Sequence, residues 1–131
     1  MNNTTRRFHE KCDNKGATIV VVKIKGSEKI VGGYNPFDWD ISERYKITRD
    51  SFIFSFTNRM NIKTVKVGYS NGVCSIGCYS TFGPVFGGYF YSIYSQNNDD
   101  TIWKINDNNF SISYSNIGIP MGRVDVDDYE L

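Results

Sequence analysis

Phenylalanine recurs at every second position of residues 51–57, with Phe52, Phe54 and Phe56 alternating with Ser51, Ile53, Ser55 and Thr57. No other feature restricts the fold as much. Successive side chains of an extended chain point to opposite faces, so rings at period two share one face, whereas a helix would scatter them around its circumference. The segment is expected to be a strand whose three rings enter a core. A second strand is expected at residues 18–24, where four β-branched residues run from Thr18 to Val21 and are extended by Val22 and Ile24. A polar turn at 13–16 precedes this run and another at 26–29 follows it. Ile30 and Val31 then start a further strand, so the unit reads as a β-hairpin.

Gly32 and Gly33 interrupt that strand. Adjacent glycines inside a strand cost stability, so something must use their lack of a Cβ. A bulge or a close crossing of another backbone is one use, and a ligand approaching the bare chain is the other. Residues 6–12 form the only good helical stretch before the hairpin, with Phe8 and Cys12 four apart on one face. Pro36 makes residues 35–39 a turn, with Phe37 and Trp39 closing one end of the core. Later runs at 62–67, 73–76, 89–94, 101–105, 110–114 and 124–131 read as short strands. The glycine-rich stretch 77–88 reads as a loop anchored by Phe82 and Phe86. Eight or nine short strands between Gly, Asn and Pro turns argue a mainly β chain, a two-sheet antiparallel β-sandwich with one or a few short helices at its periphery.

Several of these pieces occur in a recognisable order. Phe-His-x-x-Cys-Asp-Asn-Lys-Gly (8–16), Gly-Gly-Tyr (32–34), Trp39, Ser-Phe-Ile-Phe-Ser-Phe (51–56), Gly-Pro-Val-Phe-Gly-Gly (83–88) and Asp-Asp-Tyr-Glu-Leu (127–131) together resemble the TLDc domain of oxidation-resistance proteins over nearly the whole chain. The resemblance implies a single domain over residues 1–131, two antiparallel sheets face to face, and no accepted catalytic set. It also implies a protein-interaction role linked to oxidative-stress resistance and to binding the vacuolar proton pump. Carried over by position are Gly32, Gly33, Phe52, Phe54, Gly83, Phe86 and Gly87 as structural residues, and Glu130 as a polar contact. The chain departs from the pattern in three places. Tyr89 and Phe90 stand where the family has an Asp-Leu pair, most of the N-terminal segment before Phe8 is missing, and the last strand stops at Leu131.

Composition bounds the partners. Fifteen Lys and Arg against fourteen Asp and Glu give a net charge of +1, so no general basic field draws the chain to nucleic acid. No window approaches the ~18 apolar residues of a membrane span, and residues 1–7 are polar and basic without the apolar core of an export signal. A cytoplasmic chain with reduced thiols is expected, possessing no cofactor and acting through a protein partner.

The residues able to carry chemistry are few. His9 is the only histidine, the usual proton shuttle near neutral pH, yet its helix at the domain edge suits local packing better than a triad. Cys74 and Cys78 have three residues between them, a spacing that fits neither a redox pair nor zinc, and Cys12 with His9 completes no common zinc pattern. Buried, inert cysteine is the plainer reading of all three; thiol-based antioxidant chemistry at Cys74, Cys78 or Cys12 is the sharper one. Asp125, Asp127, Asp128 and Glu130 form an acidic end, either a wetted strand face or a contact patch for a basic partner, with Glu130, Asp127 and Asp128 the candidates. Nine Tyr, nine Phe and two Trp fit a sandwich core better than a sugar-binding face.

Overall fold

The computed structural model describes residues 5–26, 28–57, 65–87, 90–94, 101–105, 114, 115, 117, 122–124 and 126–130. Among the described residues, one helix, α1 (Thr5–Cys12), precedes eleven strands: β1 (Thr18–Ile24), β2 (Ile30–Asn35), β3 (Arg44–Lys46), β4 (Phe52–Phe56), β5 (Lys66–Tyr69), β6 (Ile76–Cys78), β7 (Phe82–Phe86), β8 (Phe90–Tyr94), β9 (Thr101–Ile105), β10 (Gly122–Val124) and β11 (Val126–Glu130). They form two antiparallel sheets, a five-stranded one in the order β11-β1-β2-β4-β5 and a six-stranded one in the order β10-β9-β8-β7-β6-β3. The mainly β, two-sheet architecture with one short helix is the one that the alternating runs imply.

The core lies between the sheets. Val20, Val22, Val31 and Ile53 from the first meet Ile76, Cys78, Phe86, Phe90, Trp103 and Ile105 from the second. Trp39 is fully buried among them, its ring 5.2 Å from Phe8 and 5.7 Å from Phe86, both edge-on, with its Nε1 donating to Thr18 Oγ1 at 2.6 Å. Phe37 packs partly buried against this cluster, as a residue closing the core would. Helix α1 turns Thr5, Phe8 and Cys12 inward and lies on β7 and β8.

The glycine pair accommodates rings. A Cβ on Gly33 would sit 2.6 Å from Cε1 and Cζ of Phe86, which reaches across from the opposite sheet. A Cβ on Gly32 would strike the carbonyl oxygen of Val20 and come within 2.5 Å of Phe54 Cζ on the outer face. Each glycine is therefore a seat for an aromatic side chain, one on each face of β2.

Three local expectations are corrected. The rings of Phe52, Phe54 and Phe56 do not enter the core; they are half-buried on the outer face, while Ile53 and Ser55 point inward and are buried. The gap between sheets is already filled by Phe86, Phe90, Trp39 and Trp103, and layers about 10 Å apart leave room for smaller residues from β4. The stretch 77–88 is no loop, since Phe82–Phe86 is the strand β7, paired with β8 through an irregularity between Phe82 and Val85 that accommodates Gly83 and Pro84. Finally, residues 72–74 bend rather than extend, and the strand begins only at Ile76. Residues 62–64 of the strand expected at 62–67 and most of the strand expected at 110–114 lie outside the described residues.

Candidate functional site

The outer face of the five-stranded sheet follows from its registers. Strand pairing aligns Ile19, Tyr34, Phe52 and Tyr69 in one row, and Val21, Gly32, Phe54 and Val67 in the next. Lys23, Ile30 and Phe56 make a third. Because side chains alternate, all of these share the face opposite Val20, Val22, Val31 and Ile53. The rings touch one another: Tyr34 stacks on Phe52 at 5.4 Å, Phe52 meets Tyr69 at 5.6 Å and Phe54 at 6.4 Å, and Phe54 stacks on Phe56 at 6.2 Å. Such a ladder stiffens the sheet, the cross-strand pairs Tyr34–Phe52 and Phe52–Tyr69 contributing about 0.2–1 kcal/mol each. It also leaves an apolar surface, since Ile19, Val67, Tyr69 and the adjoining Val65 are exposed.

Strand β11 borders this face beside β1. Glu130 stands opposite Val21 and Asp128 opposite Lys23; the register then shifts, leaving Asp127 as the extra residue between Asp128 and Val126. The three acidic candidates thus occupy one edge strand next to the aromatic rows, whereas Asp125 lies outside the described residues.

The thiols separate. All three are free. Cys12 and Cys78 are buried in the core, where burial pushes the Cys12 thiol up and pushes the Cys78 thiol up to about 11. A group that holds its proton so firmly is a poor nucleophile at neutral pH. Cys74 is exposed, on a backbone with φ of 46° that non-glycine residues seldom adopt. The structure thus does not gather the three cysteines into one site.

His9 is a staple. Its Nδ1 faces both carboxylate oxygens of Asp13 at 2.8 and 2.9 Å, and its Nε2 faces the carbonyl oxygens of Tyr79 at 3.0 Å and Phe82 at 2.8 Å. Every one of these partners is an acceptor, so whichever ring nitrogen carries a proton has an oxygen to receive it. The residue ties α1 to the segment that opens β7. A neighbouring latch has Asn14 N donating to Trp39 O at 2.8 Å and Lys46 Nζ donating to Asp38 O at 2.9 Å and Asp40 Oδ2 at 2.7 Å. Burial works against the Asp40 carboxylate, but hydrogen bonds from Lys46 and Ser42 outweigh it and hold the carboxyl well below its usual range.

Sequence reasoning missed a buried hydroxyl network at one end of the sandwich. Ser51 Oγ donates to Tyr34 O at 2.7 Å and lies 2.7 Å from Tyr114 Oη, which donates to Ser75 O at 2.6 Å. Ser75 Oγ donates to Thr48 O at 2.8 Å, accepts from Thr48 N at 3.1 Å and lies 2.7 Å from Ser70 Oγ. Burial raises the Tyr114 phenol's pKa, against a smaller opposite effect of the Ser51 bond, so it stays protonated and can donate. Isolated serines carry no periodic signal, which is why the network was not legible beforehand. Among the described residues, no three His, Cys, Asp or Glu side chains gather where they would hold a metal ion, and no helix is long and apolar enough to cross a membrane.

The family model of the TLDc domain matches residues 2–117. Neither the curated proteins nor the solved structures give a match.

Proposed function

We propose, from the premise that this chain belongs to the TLDc domain family, that it is a non-enzymatic protein-interaction module working in the cytoplasm. The observation that carries this reading is the apolar outer face of the five-stranded sheet, where Ile19, Val67 and Tyr69 are exposed beside a continuous ladder of rings. Patches of this kind mark sites where another protein docks. The acidic positions Asp127, Asp128 and Glu130 on β11 would form the charged rim, setting association rate more than affinity. Three free thiols accord with a reducing compartment.

The finer reading is support of oxidative-stress resistance through binding and regulating the vacuolar proton-pumping ATPase. The test is direct binding of the purified soluble sector of that pump to the full chain. Val67→Lys with Tyr69→Lys should abolish binding, and Asp128→Asn with Glu130→Gln should slow association with little change in dissociation. Equal binding by all forms would refute the assignment of the face.

The exposure of Cys74 favours a second reading, thiol-based antioxidant chemistry. It predicts peroxide consumption that falls when Cys74 is replaced by Ser and persists when Cys12 or Cys78 is replaced. Unchanged rates in all three would remove it.

A further inference from the structure

We infer that the partner fitting the outer aromatic face is a second copy of this chain, seated sheet against sheet about a two-fold axis. The inference rests on the reading of that face as an interaction surface; a second copy seated there would compete with the pump sector for the same residues.

Three observations carry it. The first is extent: Ile19, Val65, Val67 and Tyr69 are 49%, 45%, 44% and 60% exposed. With the edges of the half-buried rings of Tyr34, Phe52, Phe54 and Phe56, that leaves roughly 500–600 Å² of apolar surface in one patch, the upper end for the largest patch of a monomer. Two copies face to face would remove about 1,000–1,200 Å² in total, the threshold of a specific interface.

The second is shape. The rows run across four strands, β1, β2, β4 and β5, about 14 Å between the outer strand axes. A helix about 10 Å across would cover only part of that width. Another sheet, stacked about 10 Å away and turned by about 30°, covers all of it.

The third is charge. Of the eleven aligned positions on β1, β2, β4 and β5 only Lys23 is charged, at a corner, and Asp128 and Glu130, which extend two of the rows, lie beyond β1 on the edge strand β11. An acidic or basic partner would find no counter-charge at the centre around Gly32, Phe54 and Val67. A second copy brings no like charges together there, so self-pairing is unopposed.

The experiment is sedimentation velocity of the full chain from about 1 to about 200 µM, the range in which an interface of this modest area should titrate. The wild type should pass from monomer to dimer. Val67→Lys with Tyr69→Lys should raise the dimer dissociation constant at least about tenfold, while Ile47→Lys, at an exposed position outside the rows, should leave it unchanged. A wild type that stays monomeric, or a double variant that dimerises as well as wild type, overturns the inference. Should the double variant fail to fold, hydrogen exchange on the wild type decides. Amides of β4 and β5 should gain protection with concentration while those of β7 and β8 do not, and the absence of that difference overturns the inference. A monomeric wild type whose pump binding is lost in the double variant refutes self-pairing and leaves the proposed function standing. A dimer that binds no pump sector does the reverse.

Discussion

Replacing Gly33 with alanine tests how the two sheets are fitted together. The added methyl would lie 2.6 Å from two carbons of the Phe86 ring and 2.9 Å from a third. Real contacts of this kind need more than 3 Å, so the ring must move. It has little freedom, since Trp39 meets it edge-on at 5.7 Å, Phe90 stacks on it at 5.9 Å and Tyr114 closes on it at 6.3 Å. Overpacking of this sort costs about 1–3 kcal/mol. Against it stands a gain of about 0.4–1 kcal/mol from a less flexible unfolded chain. A net loss of about 1–2 kcal/mol is expected, lowering Tm by roughly 3–8 °C for a chain of this size. Urea unfolding followed by the fluorescence of Trp39 and Trp103, both core residues, measures it. Phe86→Leu alone should cost about 1–2 kcal/mol by leaving a cavity. Combined with Gly33→Ala it should cost less than the sum, because the methyl enters the space the ring vacates. A Gly33→Ala protein within about 0.5 kcal/mol of wild type, or strict additivity in the double variant, would refute the seat that Gly33 is argued to provide.

Other outcomes follow from the same geometry. Ser75→Ala, which removes the donor to Thr48 O and the acceptor for Thr48 N, should lower stability by about 1–3 kcal/mol by leaving buried groups unpaired; an equilibrium denaturation curve superimposable on wild type would contradict it. One thiol, Cys74, should react with a disulfide reagent in the folded protein, and the buried Cys12 and Cys78 only on unfolding, as counted by mass spectrometry with and without denaturant. Because the Asp40 carboxyl is lowered below its unfolded value of 3.8, its contribution is fully present above that pH and is lost as pH falls through the folded pKa. Asp40→Asn should therefore flatten the acid limb of the stability profile, and an unchanged limb would argue against the Lys46 and Ser42 bonds.

Much of the architecture was legible because period two survives without knowledge of the partners. The runs at 18–24, 51–57 and 101–105 named their strands to within a residue or two. What period two does not reveal is phase. The larger rings of β4 suggested the core side, but side-chain size says nothing about the space already filled from across the gap, and Ile53 and Ser55 took the inner positions. Gly83 and Pro84 read as a loop because both are poor strand formers; a strand tolerates them where pairing is irregular, as between Phe82 and Val85. The three-residue β3, with Arg44 and Lys46 as its two ends, was too short and too charged to show a pattern. At the candidate site, the acidic residues of β11 were visible as a cluster, but their place beside the aromatic rows depends on β11 pairing with β1 across more than a hundred residues, which no local signal carries.

That pairing bears on how the chain is made. A polypeptide emerging from the ribosome delivers β1 more than a hundred residues before β11, although the two are neighbours. Until β11 has been made, the unpaired side of β1 offers free backbone groups along a run of valines and isoleucines, a template for any passing strand. Closure of this long-range pair should be a late and slow step. The nascent chain would then depend on chaperones during translation more than the finished domain does after it.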